Sequence, residues 1–274
     1  MGRMLGNYGV LLAQWEESDP ELVRKLLTRT WNRLDENVRK QFLHLMIGMI
    51  YRVSRSELVH RGAPTGDVAT VPFTFSGDEI DLDRTIEATV EHPLPRYENL
   101  FVLDRKKRKN AAVIIMDASG SMQGEKLSMA AIAVTSLAAN LDARDEYGVV
   151  LFSEKVNVCK RMDQAKPLDE IINTVLYVRP EGRTNIGLGL LAGLTEIQRS
   201  TIDSRTGILL TDGGQNTGQD PLGVARRFPQ LHVVVLPGGN PELAGQIAAK
   251  GRGSLISLKS IHDVPRAIVR CLCR

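Results

Sequence analysis

Asp117-Ala118-Ser119-Gly120-Ser121 sets a carboxylate and two hydroxyls at alternate positions of one short stretch. The apolar run Ala-Ala-Val-Ile-Ile-Met at 111–116 precedes it and a helix-patterned stretch at 125–141 follows, so the three oxygen donors fall in a strand-to-helix loop. Two other loops carry comparable groups. Arg183-Thr184-Asn185 stands before a helix at 186–199, and Thr211-Asp212-Gly213-Gly214 follows a strand at 207–211. In an open sheet of parallel strands, loops at the strand carboxyl ends line the crevice where ligands bind, so all three loops open on one edge. Donors that are all oxygen suit a hard cation such as Mg²⁺ or Mn²⁺ and disfavour zinc. The alternative for the first loop is a strand-end turn with an N-cap serine, which needs no metal.

Catalytic chemistry fits these residues poorly. A nucleophile elbow needs Gly at 117, where Asp stands. The five histidines (44, 60, 92, 232 and 262) offer no good base, since His232 lies in an expected strand and His262 begins the last helix. A phosphotransferase using Asp117 as nucleophile needs a second Asp two residues on, and Ser119 occupies that place. The expectation is therefore binding without catalysis. Gly213 and Gly214 are expected to hold a tight turn with φ > 0, letting backbone approach an ion, with a plain turn as the alternative. Gly120 and Asn216 would support the same loops, and Asn216 facing solvent is the other reading.

The elements that must position these groups alternate from Ala111 onward. Strands are expected at 111–116, 147–152, 156–161, 207–211, 231–236 and 254–258. Helices are expected at 125–141, 167–178, 186–199, near 220–228, near 241–250 and at 262–273. Uninterrupted apolar strands separated by helices specify an α/β domain with a doubly wound, mostly parallel six-stranded sheet over 110–274. Only three residues separate 147–152 from 156–161, too few for a parallel crossover, so that pair is an antiparallel hairpin with 156–161 at an edge. Gly187, Gly189 and Gly193 each cost a helix about 1 kcal/mol against alanine. Close packing on the sheet is expected to offset that cost.

The first 109 residues follow another pattern. Ser18-Asp19-Pro20-Glu21 is a helix start with a capping box, and apolar positions from Leu22 through Trp31 and Phe42 to Val53 keep a helical period. A smaller helical region at 1–60 is expected. The segment 61–109 then reads as a connector with a short helix at 81–91, an extended piece at 99–104 and a basic ribbon.

The chain's 274 residues carry 43% apolar and 24% charged side chains, an ordinary globular composition. No apolar run approaches the roughly 18 residues of a membrane span, and the first residues lack the pattern of a signal. Three cysteines, Cys159, Cys271 and Cys273, have no zinc-site spacing, and reduced thiols in the cytoplasm are the expectation. The net charge of +3 conceals a local excess: residues 1–104 hold 12 basic and 16 acidic side chains before Arg105, Lys106, Lys107, Arg108 and Lys109. That ribbon is a solvated charged run or a docking strip for an acidic partner. It has no interleaved aromatics, which argues against nucleic acid.

Asp117, Ser119 and Ser121, then Thr184, then Asp212 in a Thr-Asp-Gly turn resemble the metal-ion-dependent adhesion site (MIDAS) of the von Willebrand factor A (VWA) domain. The resemblance covers about residues 110–274, and three separated pieces in register with the fold make it specific. It implies an octahedral divalent cation, Mg²⁺ with Mn²⁺ as the substitute. Ser119, Ser121 and Thr184 would offer hydroxyls, and Asp117 and Asp212 would ligate directly or through water. It also implies a further ligand on the metal from an acidic side chain of another protein. GDEIDLDRTIEATVEH (77–92) and ENLFVLDRKKRKN, leading into the metal strand, resemble the A-domain proteins related to CoxE and ViaA. Their A domain is similar to that of the D-type subunit of magnesium chelatase. Members commonly act beside a MoxR-type AAA+ ATPase in maturing proteins or inserting metal. The implied function is a Mg²⁺-dependent adaptor; the alternative is a non-catalytic subunit of a metal-inserting chelatase. In some A domains the last helix shifts when the metal's open position is filled, which puts 262–273 among the elements to watch.

Overall fold

The computed structural model describes residues 68–72, 79–90, 100–105, 109–122, 125–141, 144–178, 180–215 and 217–272. The helical region expected at 1–60 lies outside them, as do Lys106, Lys107, Arg108, Asn216 and Cys273. His60–Lys109 belongs to one compact unit and Asn110–Cys273 to another.

The smaller unit holds β1 (Val68–Pro72), β2 (Glu79–Ile80), α1 (Leu82–Val90) and β3 (Phe101–Arg105), with the strands in the antiparallel order β1-β3-β2. Asp81 starts α1: its Oδ1 accepts from Arg84 N at 3.1 Å and its Oδ2 from Thr70 Oγ1 at 2.5 Å. The stretch read as connector thus contains a strand. Five residues ending in proline give too short a period to declare it, and proline is tolerated because β1 is an edge. Arg105, read as the start of the basic ribbon, is the last residue of β3, and Lys109 is exposed.

The larger unit runs β4 (Asn110–Asp117), a 3₁₀ turn at Gly120–Met122, α2 (Glu125–Asn140), β5 (Glu146–Phe152), β6 (Val156–Lys160), α3 (Leu168–Tyr177) and α4 (Ile186–Ile197). It continues with β7 (Ser204–Thr211), α5 (Pro221–Ala225), β8 (Leu231–Val235), α6 (Pro241–Lys250), β9 (Arg252–Ser257) and α7 (Asp263–Leu272). Its sheet has the order β6-β5-β4-β7-β8-β9, parallel except for β6, which pairs antiparallel with β5 at one edge. The expected α/β architecture, antiparallel edge included, is the observed one. The helix expected near 220–228 is shorter, Pro221–Ala225; Asp220 caps it by accepting from Leu222 N and Gly223 N at 3.0 and 3.1 Å.

Alternation along β4 divides the core. Ala112, Ile114 and Met116 pack with α2, α3 and α7, while Ala111, Val113 and Ile115 pack with α4, α5 and α6. All six strand residues are buried, as a sheet covered on both faces requires. The α4 glycines allow its close approach. A β-carbon on Gly189 would strike the Phe152 ring, one on Gly193 would strike Ile115, and one on Gly187 would lie 2.5 Å from Gln219 O. The packing expected of the first two is present, whereas Gly187 abuts a loop rather than the sheet.

Candidate metal site

β4 and β7 are parallel neighbours, with Met116 opposite Leu210. The chain leaving β4 passes through α2 on one face, and the chain leaving β7 passes through α5 on the other. Such a switch point opens a crevice at the strand carboxyl ends. Asp117 is the last residue of β4, and Asp212 follows the last residue of β7.

Short hydrogen bonds lock the first loop. Asp117 Oδ1 accepts from Ser119 N at 2.8 Å, and Ser119 Oγ lies 3.1 Å from Ser121 Oγ. The third loop reaches the same carboxylate, since Thr211 Oγ1 donates to Asp117 Oδ2 at 3.2 Å and accepts from Gly213 N at 3.1 Å. The second loop is joined through backbone: Gly120 N donates to Gly182 O at 3.3 Å and Asn185 N to Ser153 O at 3.2 Å. Asn185 then caps α4 by accepting from Leu188 N at 3.0 Å. Gly218 rests against the Asn185 side chain, so the segment after Asp212 also touches the loop that carries Thr184. Asp117, Ser119 and Thr184 are buried, Asp212 is partly buried and Ser121 is exposed, so the donors run from the sheet edge outward.

The two carboxylates differ in electrostatics. Burial pushes the Asp117 carboxyl above the ordinary carboxylate value; hydrogen bonds from Ser119 resist the rise and the Asp212 charge adds to it. Burial would also raise Asp212, but hydrogen bonds from Ser121 and Lys126, together with the Lys126 charge, outweigh it and hold that carboxyl low. Lys126 Nζ lies 3.1 Å from Asp212 Oδ2. Among the described residues no cationic side chain pairs with Asp117. A fully buried carboxylate among hydroxyls, a second carboxylate near enough to repel it and no cationic partner make a donor set that fits a hard divalent cation.

Gly213 has φ +83°, as expected. A β-carbon there would strike Asn240 O, so the glycine is needed where two loops of the protein meet. Gly214 is not among the positive-φ glycines, and a β-carbon there would have only Asp212 Oδ1 nearby, at 3.8 Å. Sequence reasoning assigned no role to Thr211 or Lys126. Lys126 did carry a signal: a cation in the first turn of a helix opposes the helix dipole and calls for an acidic partner. His232 Nδ1 accepts from Ser254 N at 3.1 Å on the neighbouring strand, a structural engagement within the sheet.

Residues 55–227 match the family of VWA domain containing CoxE-like proteins. The chain belongs to this family. Over 117 residues this CoxE-like protein is 33% identical to inter-alpha-trypsin inhibitor heavy chain H3 of Mesocricetus auratus, a match covering 39% of the chain and 13% of that relative. The structure of a von Willebrand factor type A protein from Catenulispora acidiphila superposes with a TM-score of 0.50 at 20% identity, over 62% of this chain and 43% of that one. Proximal thread matrix protein 1 of the mussel byssus, solved with a zinc-occupied MIDAS motif, superposes with a TM-score of 0.50 at 21% identity, over 60% and 48%. The likeness to the Catenulispora protein establishes the VWA fold. Among the described residues no helix is long and apolar enough to cross a membrane.

Proposed function

We propose that this CoxE-like protein is a Mg²⁺-dependent binding adaptor that grips an acidic residue of a partner protein and works with a MoxR-type AAA+ ATPase in protein maturation or metal-cofactor insertion. The observation that carries the reading is the buried Asp117 carboxylate, bonded by the loops that follow β4 and β7, with the loop before α4 bonded to Gly120 three residues on. Asp117 and Asp212 would hold the ion's charge, and Ser119, Ser121 and Thr184 would offer hydroxyl oxygens. Thr211 orients Asp117 from behind by its hydrogen bond to Oδ2. When bound, the ion would supply Lewis acidity toward one further oxygen ligand, for which a partner's carboxylate is the natural match. The zinc-occupied MIDAS of the mussel protein supports a divalent ion at a site of this kind. Mg²⁺ or Mn²⁺ is the choice the all-oxygen donor set favours. Membership of the CoxE-like family supports the ATPase partner.

Affinity capture from the source cell tests the reading. With Mg²⁺ the bait is expected to retain partners, an AAA+ ATPase among them; with EDTA, or with an Asp117→Ala bait, they are lost. Identical partners under all three conditions would remove the metal from the function.

A further inference from the structure

Lys126 is the second residue of α2, where the helix dipole disfavours a cation, yet its ammonium stands 3.1 Å from Asp212 Oδ2. The side chains are 25% and 13% exposed, so salt screens this pair less than one in open water. Asp212 Oδ1 accepts a long contact from Gly214 N, at 3.5 Å. One of the two carboxylates proposed to hold the divalent ion is thus already shared with a cation of the chain itself.

We propose that Lys126 is a resident counter-cation of the site, which competes with the divalent ion for Asp212 and so sets both metal affinity and the charge presented to the partner. The inference rests on the metal-binding reading above. Asp117 and Asp212 together supply two negative charges, and Lys126 cancels one. A bound divalent ion then leaves the cluster with a net positive charge, where without Lys126 it would be neutral. The metal is held less tightly, and the loaded site attracts an anionic ligand more strongly. Lysine suits this role, because its compact ammonium on a flexible stem can stay beside Asp212 or withdraw. The partner chemistry selected is a carboxylate rather than a neutral amide or hydroxyl.

Calorimetric titration of the full chain with MgCl₂ tests this on wild type, Lys126→Arg, Lys126→Met and Asp117→Ala. Lys126→Met is expected to bind Mg²⁺ about ten-fold tighter than wild type, while Lys126→Arg, which keeps the charge, stays within about two-fold. Thermal unfolding in EDTA reports whether each variant is folded. Lys126→Gln repeats the neutralisation with a head group that can still donate to Asp212, should the methionine variant fail to fold. Folded neutral variants that bind Mg²⁺ no tighter than wild type would overturn the counter-cation. Wild type that binds Mg²⁺ no better than Asp117→Ala would overturn the metal reading itself, and this inference with it.

Discussion

Gly213 occupies the left-handed region at φ +83°, with its α-carbon turned toward Asn240 O, while Asn240 N donates to Asp212 O at 2.8 Å. An L side chain there faces an unfavourable backbone conformation and a backbone collision together. Gly213→Ala is expected to destabilise the larger unit by about 2–4 kcal/mol, read as a lower denaturation midpoint in urea. Gly214→Ala, with room for a β-carbon and no positive φ to satisfy, should stay within about 0.5 kcal/mol of wild type. The pair separates a steric requirement from proximity to the site. At this scale the places of Asp117 and Asp212 at the carboxyl ends of neighbouring strands were legible, because the apolar runs before them mark those strands. Asn240 was not, because it meets Gly213 only once β7 and β8 lie side by side. Lys126 was half legible: its awkward place at a helix start was visible, but its partner lies one strand away.

One side chain closes the turn before the last helix. Asp263 Oδ2 accepts from Lys259 N at 3.0 Å, Ser260 N at 2.8 Å and Ser260 Oγ at 3.2 Å, closing the turn that leads into α7. The Ser260 and Lys259 hydrogen bonds lower the Asp263 carboxyl below its ordinary 3.8. A group lowered in the folded state contributes stability at pH values above 3.8, and the contribution is lost as pH falls through the lowered value. Asp263→Ala should therefore speed amide exchange at Lys259 and Ser260 at neutral pH, where the wild-type carboxylate is ionised. The two proteins should converge in strong acid, where the wild-type group is protonated as well. Hydrogen exchange by mass spectrometry or NMR checks this, and equal neutral-pH rates would show that the turn closes without the carboxylate. Elements of this size were the most legible part of the chain. Buried strands such as β4 and β8 announce themselves as apolar runs, and α6 lies where a helix near 241–250 was expected. β1 escaped because a short edge strand is specified by pairing with β3, not by its own period.

Cys159 on β6 and Cys271 on α7 are far apart in sequence, yet both are buried in the hydrophobic cluster on the α2 side of the sheet. Both are free thiols. Burial pushes the Cys159 thiol up to about 11 and the Cys271 thiol up to about 12, so neither forms appreciable thiolate at mildly alkaline pH while the core is closed. Reaction with a thiol reagent therefore requires opening, and its rate reports how much of the molecule must open. Since one cluster encloses both groups, the cooperative expectation is a single event. A Cys273→Ser variant, which removes the third cysteine, should resist a disulfide reagent when native and expose both thiols in denaturant. With little denaturant, both should label at one rate. Labelling of Cys271 well ahead of Cys159 would show instead that α7 detaches while the sheet stays intact. That outcome would identify the last helix as a part of the fold that can move while the sheet holds.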